Sequence, residues 1–199
     1  MTPDALAQLL TELADWLDHY DCDPVEWVVC GGVALALLGL HTRTTRDVDV
    51  LGTWDTSGSE IAEIDDFPEN VKRCIERVME DHPELQGTRW INLGPRHLVE
   101  FGLPEGFEDR LHAISFGTRL TLHLLGRQDL VALKLFAAAD VSGSRQDIHY
   151  NDLEVLKPTE AELDAAVQWT RTLPNFELIR TEIRDAVCRL GYDELGYYI

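Results

Sequence analysis

Lysine is almost missing from this chain. Lys72, Lys134 and Lys157 stand against fourteen arginines and 36 acidic residues, and the formal net charge is -19. A long nucleic-acid footprint neutralises several phosphates at once. No basic run here could do that, which excludes an extended nucleic-acid-binding face, although a patch around Arg43 and Arg46 is enough to hold one nucleotide. No apolar stretch reaches the ~18 residues of a membrane span, so no transmembrane helix is expected. The four cysteines (Cys22, Cys30, Cys74, Cys188) make no C-x-x-C pair and the seven histidines no H-x-x-x-H, so no zinc site is expected. The N-terminal segment is acidic and periodic and lacks the basic start of a signal peptide, so it reads as structure. Together with the unpaired thiols it points to a reducing cytoplasm. Internal repeats and low-complexity tracts are also absent. The acidity reads first as a solvated surface, with attraction of a basic partner as an additional role.

What is present fits one domain, or one domain with a helical extension. Residues 3 to 19 carry Leu6, Leu9, Leu10, Leu13 and Leu17 on one helical stripe, with Thr2 as N-cap and Pro3 in the first turn. "EWVVC" (26 to 30) is a strand, broken by Gly31-Gly32, and "VALALLGL" is a short buried helix. After the polar loop "HTRTTR" comes a strand, "DVDVLG", with Val48 and Val50 on one face and Asp47 and Asp49 on the other. "DTSGSEIAEIDD" reads as a loop and residues 69 to 81 as a helix. "TRWINL" and "RHLVEFGLP" read as strands, the second with Val99, Phe101 and Leu103 on one face and Glu100 on the other. Residues 119 to 125 are a further strand, and from 127 the chain is helical, punctuated at Gly143, Pro158 and Pro174. The expected class is α/β of the α+β kind: a mixed-sheet core over residues 1–126 with an N-terminal helix, and a helical part over 127–199 packed on it.

The chemistry centres on residues 28 to 52. Alternate residues of a strand point to one side, their Cα atoms about 6.5–7 Å apart. Asp47 and Asp49 so placed can share one divalent metal, or flank a pair of metals. Magnesium suits such oxygen ligands and keeps waters or substrate phosphates in its other positions. Gly31-Gly32 follows a strand and opens a helix, where exposed N–H groups suit a phosphate and glycine lets it come close. A strand end salted against Arg43 and Arg46 would explain the same two aspartates, and a tight turn the two glycines. A P-loop is excluded, because no G-K-[ST] follows the glycines.

In this order, "GGVALALLGLHTRTTRDVDVL" resembles the signature of the nucleotidyltransferase superfamily in its minimal, AbiEii-like branch. Gly31, Gly32, Asp47 and Asp49 match that pattern position by position. "DLVALKLFAAAD" and "SRQDIHYNDLEVLKP" resemble the branch's downstream element, with Lys134 and Asp152 at the matching positions. The resemblance implies a polymerase-beta-like core that binds a nucleoside triphosphate with one or two Mg2+ ions and passes a nucleotidyl group to an acceptor hydroxyl. Lys134 would neutralise phosphate charge, and Asp152 would orient Lys134 or act on the acceptor hydroxyl. Arg43 and Arg46 would contact the nucleotide. Structural alternatives stand beside these: a lysine that snorkels from an apolar helix, and, for Asp152 and Asp147, a solvated helix face. Two departures matter. Gly32 stands where many members have serine. The third carboxylate that many members carry on a later strand is best matched by Glu100, a solvent-facing residue on the alternative view, with Glu105 and Glu108 in a loop behind it. Many proteins of the branch are toxin–antitoxin components, so a cognate toxin or antitoxin joins the possible partners. The acceptor classes are a protein, a tRNA end or a small molecule. A non-catalytic module of the same fold, binding a nucleotide or a protein, is the alternative.

Overall fold

A computed structural model describes residues 2–40, 45, 47–140 and 146–199. Arg43 and Arg46 lie outside the described residues. The chain divides into two compact units, one of residues 1–100 and 108–125, the other of 101–107 and 126–199.

The first unit opens with α1 (Pro3–His19), whose N-cap Thr2 accepts a hydrogen bond from the Ala5 N–H. The leucine stripe is buried, from Leu6 at 0% exposure to Leu9 at 4%. Then follow β1 (Val25–Cys30), α2 (Gly31–Leu37), β2 (Val48–Asp55), β3 (Glu60–Ala62), α3 (Glu69–Asp81), β4 (Ile91–Asn92), α4 (His97–Phe101), β5 (His112–Phe116) and β6 (Leu120–Leu124). The strands make one mixed sheet in the order β3-β2-β1-β6-β5, with β4 beside the start of β2. β1 is central, antiparallel to β2 and parallel to β6. Its register pairs Val29 with Val50 and Cys30 with Asp49. Val48 and Val50 are fully buried while Asp47 and Asp49 are half-buried, as the period of two requires.

Three segments differ from the sequence expectation. "RHLVEFGLP" is helical: Pro95 starts a 3-10 turn at Gly94–Arg96 that runs into α4, and Gly102, at φ 87°, ends it. Apolar alternation there imitates a strand, yet in α4 only Leu98 is buried. β3 lies within the expected loop, and β5 was not expected at all. Each is an edge strand completed by its neighbour, β3 by β2 and β5 by β6, so its own residues carry little apolar pattern.

α1 and α3 pack together. Cys22 and Cys74 lie in that contact with sulfurs 3.8 Å apart, and burial, with the Cys22 thiol beside it, pushes Cys74 up to about 12. They are packing residues rather than nucleophiles.

The second unit is helical: α5 (Arg127–Ala139), α6 (Gln146–Leu156), α7 (Glu160–Thr170), α8 (Phe176–Arg189) and α9 (Asp193–Tyr197). α5 is its axis, packed by α6, α7 and α8. Thr159 and Glu162 form a capping box on α7, and Arg127 reaches Glu162 at 2.7 Å. The Trp169 indole donates to the Gly102 carbonyl at 2.9 Å, which ties residues 101–107 to this unit. Among the described residues no helix is long and apolar enough to cross a membrane.

His82, just past α3, meets Glu12 of α1 at 2.6 Å, and that hydrogen bond raises its pKa above the ordinary 6.5. The tie stabilises fully below the ordinary histidine value and is lost as pH rises through the raised one. Chemical denaturation of wild type and Glu12→Gln should show a larger stability difference at pH 5.5 than at pH 8.5. An equal difference at both would mean that the contact is not coupled to the His82 proton.

Candidate functional site

β1 ends at Cys30, and the chain enters α2 through Gly31 at φ 72°, in the left-handed region that glycine alone adopts without strain. Asp49 is the register partner of Cys30 on the adjacent strand. Its carboxylate therefore lies against the turn. A Cβ at residue 31 would stand 3.1 Å from Asp49 Cγ and overlap Asp49 Oδ2. Two independent requirements, backbone hand and lack of space, thus fix glycine at this position. Gly32, the next residue, is half-buried in the first turn of α2.

β4 supplies what the sequence pattern did not flag. Its parallel register sets Asn92 beside Asp49, and Asn92 Nδ2 donates to Asp49 Oδ1 at 3.1 Å. The Gly94 N–H donates to Asn92 Oδ1 at 2.8 Å. "TRWINL" was legible as a strand, but an amide at its fifth residue carries no signal until register places it. Trp90, two residues earlier, is fully buried and its indole N–H has no hydrogen-bond partner among the described residues. It is therefore a core residue and cannot stack an exposed base. Thr45 is buried and donates to the Asp47 backbone carbonyl at 3.3 Å.

The other expected site residues fall elsewhere. Glu100 sits on α4, not on a strand, and is exposed. The strand expected to carry Glu100 is therefore corrected to a helix. Glu105 and Glu108 are exposed as well. No group of three or more His, Cys, Asp or Glu side chains among the described residues is arranged to hold a metal ion. Lys134 and Asp152 belong to the helical unit, where they form an ion pair of 2.7 Å with side-chain exposures of 5% and 0%. The His149 ring nitrogen lies 3.4 Å from the same ammonium. Asp152 is thus on a buried helix face, not a solvated one, whereas Asp147 is exposed. A buried pair of this kind is strongly destabilising to break on one side only, so it holds α5 to α6 whatever else it does.

Oxygen donors at Asp47 and Asp49 suit magnesium. That ion is commonly held by one or two carboxylates plus phosphate oxygens and waters rather than by an all-protein cage. The donor set therefore fits a metal–triphosphate complex without a third carboxylate. A cavity of about 370 Å3 in the same unit lies at the other end of β1 and β2, lined by Asp23, Glu26, Trp27, Trp54, Glu63 and Asp66 among others. With these carboxylates and no basic side chain in its wall, it does not suit a triphosphate.

A protein-family model described as "Nucleotidyltransferase of unknown function (DUF6036)" matches residues 4–156. No curated protein and no solved structure matches the chain.

Two substitutions separate local geometry from stability. Gly31→Ala should cost about 1–2 kcal/mol for the left-handed backbone alone, with a further loss from displacing Asp49, read as a lowered denaturation midpoint. A neutral outcome would mean that the turn can relax. Lys134→Met should cost about 3–5 kcal/mol, and Lys134→Met combined with Asp152→Leu should recover much of it. If the double variant is no better than the single one, the pair is not what makes residue 134 matter to the fold.

Proposed function

The chain belongs to this nucleotidyltransferase family, and from that premise we propose that it transfers a nucleotidyl group from a nucleoside triphosphate to an acceptor hydroxyl in a magnesium-dependent reaction. The observation that carries the proposal is the closure of the Gly31 turn on the Asp49 carboxylate. It brings the glycine turn that opens α2 next to an oxygen ligand, and each half alone would be a commonplace.

Asp47 and Asp49 would hold the metal and, through it, the triphosphate. When bound, magnesium polarises the α-phosphate and lowers the pKa of the acceptor hydroxyl. Gly31 and Gly32 admit the phosphates to the backbone at the start of α2. The acceptor oxygen bonds to the α-phosphorus, the bond from that phosphorus to the bridging oxygen of the β-phosphate breaks, pyrophosphate leaves, and the acceptor proton is released to solvent. Lys134 and Asp152 are matched to each other within the helical unit, and the charge-neutralising role proposed for Lys134 has to be compatible with that pair. The strongly acidic surface favours a protein or small-molecule acceptor, or a tRNA end held through few contacts. It also suits a basic partner protein, as a toxin–antitoxin pair would supply.

A second reading has its own observation. With no three-carboxylate group among the described residues and Glu100 exposed on a helix, a non-catalytic module that binds a nucleotide or a protein partner would need nothing further.

Incubation of the protein with each labelled triphosphate, Mg2+ and cell extract distinguishes the two. Wild type should label a specific acceptor, and Asp49→Asn should reduce labelling by at least about 100-fold, the scale of losing a transition-state electrostatic contact, with little change in Tm. Transfer that survives Asp49→Asn would remove the proposal. No transfer by wild type with any triphosphate would favour the binding module.

A further inference from the structure

We infer that Asn92 is a positioning residue that sets the cation affinity of Asp49. The inference rests on the metal-binding reading of Asp47 and Asp49.

The orientation of the Asn92 amide is decided by its surroundings. The Gly94 backbone N–H can only donate, so the atom 2.8 Å from it must be the amide oxygen. The other end of the amide is then the NH2 group, and it faces Asp49 Oδ1 at 3.1 Å. Asp49 is held from two directions. Asn92 fixes Oδ1, while Oδ2 lies in the space left by the missing side chain of residue 31. Neither contact depends on a long flexible side chain. Asn92 is half-buried on a two-residue strand locked in parallel register with β2, and Asp49 is its register partner. Gly94 is part of the same device, because a Cβ there would stand 2.8 Å from Asn92 Oδ1 and disturb the turn that orients the amide.

Outer-shell hydrogen bonds of this kind fix the direction in which a ligating carboxylate presents its remaining lone pairs. An amide does so without adding charge. An amide at position 92 therefore leaves a site of two carboxylates, with weaker hold on the cation when no phosphate is present than a carboxylate there would give. The triphosphate itself would supply the missing negative charge.

Binding of Mn2+ alone, followed by the electron paramagnetic resonance signal of the free ion, tests this on the full chain without reference to turnover. Thermal unfolding is recorded for each variant. Asn92→Ala should weaken Mn2+ binding about 10–100-fold, the usual scale for an outer-shell partner. Asn92→Asp keeps an acceptor for the Gly94 N–H but adds a carboxylate beside Asp49, and should tighten Mn2+ binding about tenfold by ligand charge. A residue that merely shapes the turn would shift Tm in one or both variants and move neither affinity. If Asn92→Ala does not fold, Asn92→Asp decides alone, and an unchanged affinity there overturns the inference. Unchanged affinity in both variants, with binding lost in Asp49→Asn, would end the role of Asn92 and leave the metal site standing. No Mn2+ binding by wild type would remove the metal reading and this inference together.

Discussion

Asp49 Oδ2 occupies the space where a side chain at residue 31 would begin. That single steric fact ties together the end of β1, the start of α2 and the aspartate-bearing strand. It requires glycine at 31, because the backbone is left-handed and because there is no room. It requires the register that pairs Cys30 with Asp49, since a one-residue slip would send the carboxylate into the core and Val50 out of it. The buried faces of Val48 and Val50 enforce that register from the opposite side of the sheet. The site is therefore a consequence of core packing: the same alternation that buries two valines sets a carboxylate against the turn.

The scarcity of cations gives the electrostatics a consistent pattern. Lys72 is matched to Asp66 and Glu69, Arg119 to Asp18 and Asp21, Arg127 to Glu162, and Lys134 to Asp152. Arg119, Arg127 and Lys134 thereby tie separate segments together, while the Lys72 pairs lie at the start of α3. With a net charge of -19, a polyphosphate would be repelled by most of the surface. On the proposed reading, a divalent cation arriving with the polyphosphate would offset that repulsion at Asp47 and Asp49.

Several elements were legible because their signals are local. α1 carries its cap, its proline and its leucine stripe within seventeen residues, and α3 and β6 were equally plain. The helix α4 was misread because apolar alternation over a short stretch does not separate a strand from a single helical turn; Pro95 and Gly102, its two boundary residues, were the better guides. β5 was missed because an edge strand needs little apolar pattern of its own when a neighbour completes its hydrogen bonds. For Asp152 the resemblance offered a partner of Lys134 and helical spacing a solvated face; spacing shows which residues share a face, not which of those faces a lysine from another helix will reach, and the 2.7 Å ion pair excludes the solvated face.

By itself, the sequence determined the mixed α/β class, the order strand, two glycines, helix, strand with alternating aspartates, and through that order the nucleotidyltransferase family. Those are properties of residues close together in the chain, where spacing and backbone preference act directly. Only the tertiary structure decided which groups meet across it: Gly31 against Asp49, Asn92 beside Asp49, the burial of the Lys134–Asp152 pair, and Glu100 on an exposed helix instead of a strand. Asn92 lies 43 residues from Asp49 along the chain. No local preference encodes such a contact, because it exists only once β4 has added to the edge of β2 and the register is fixed.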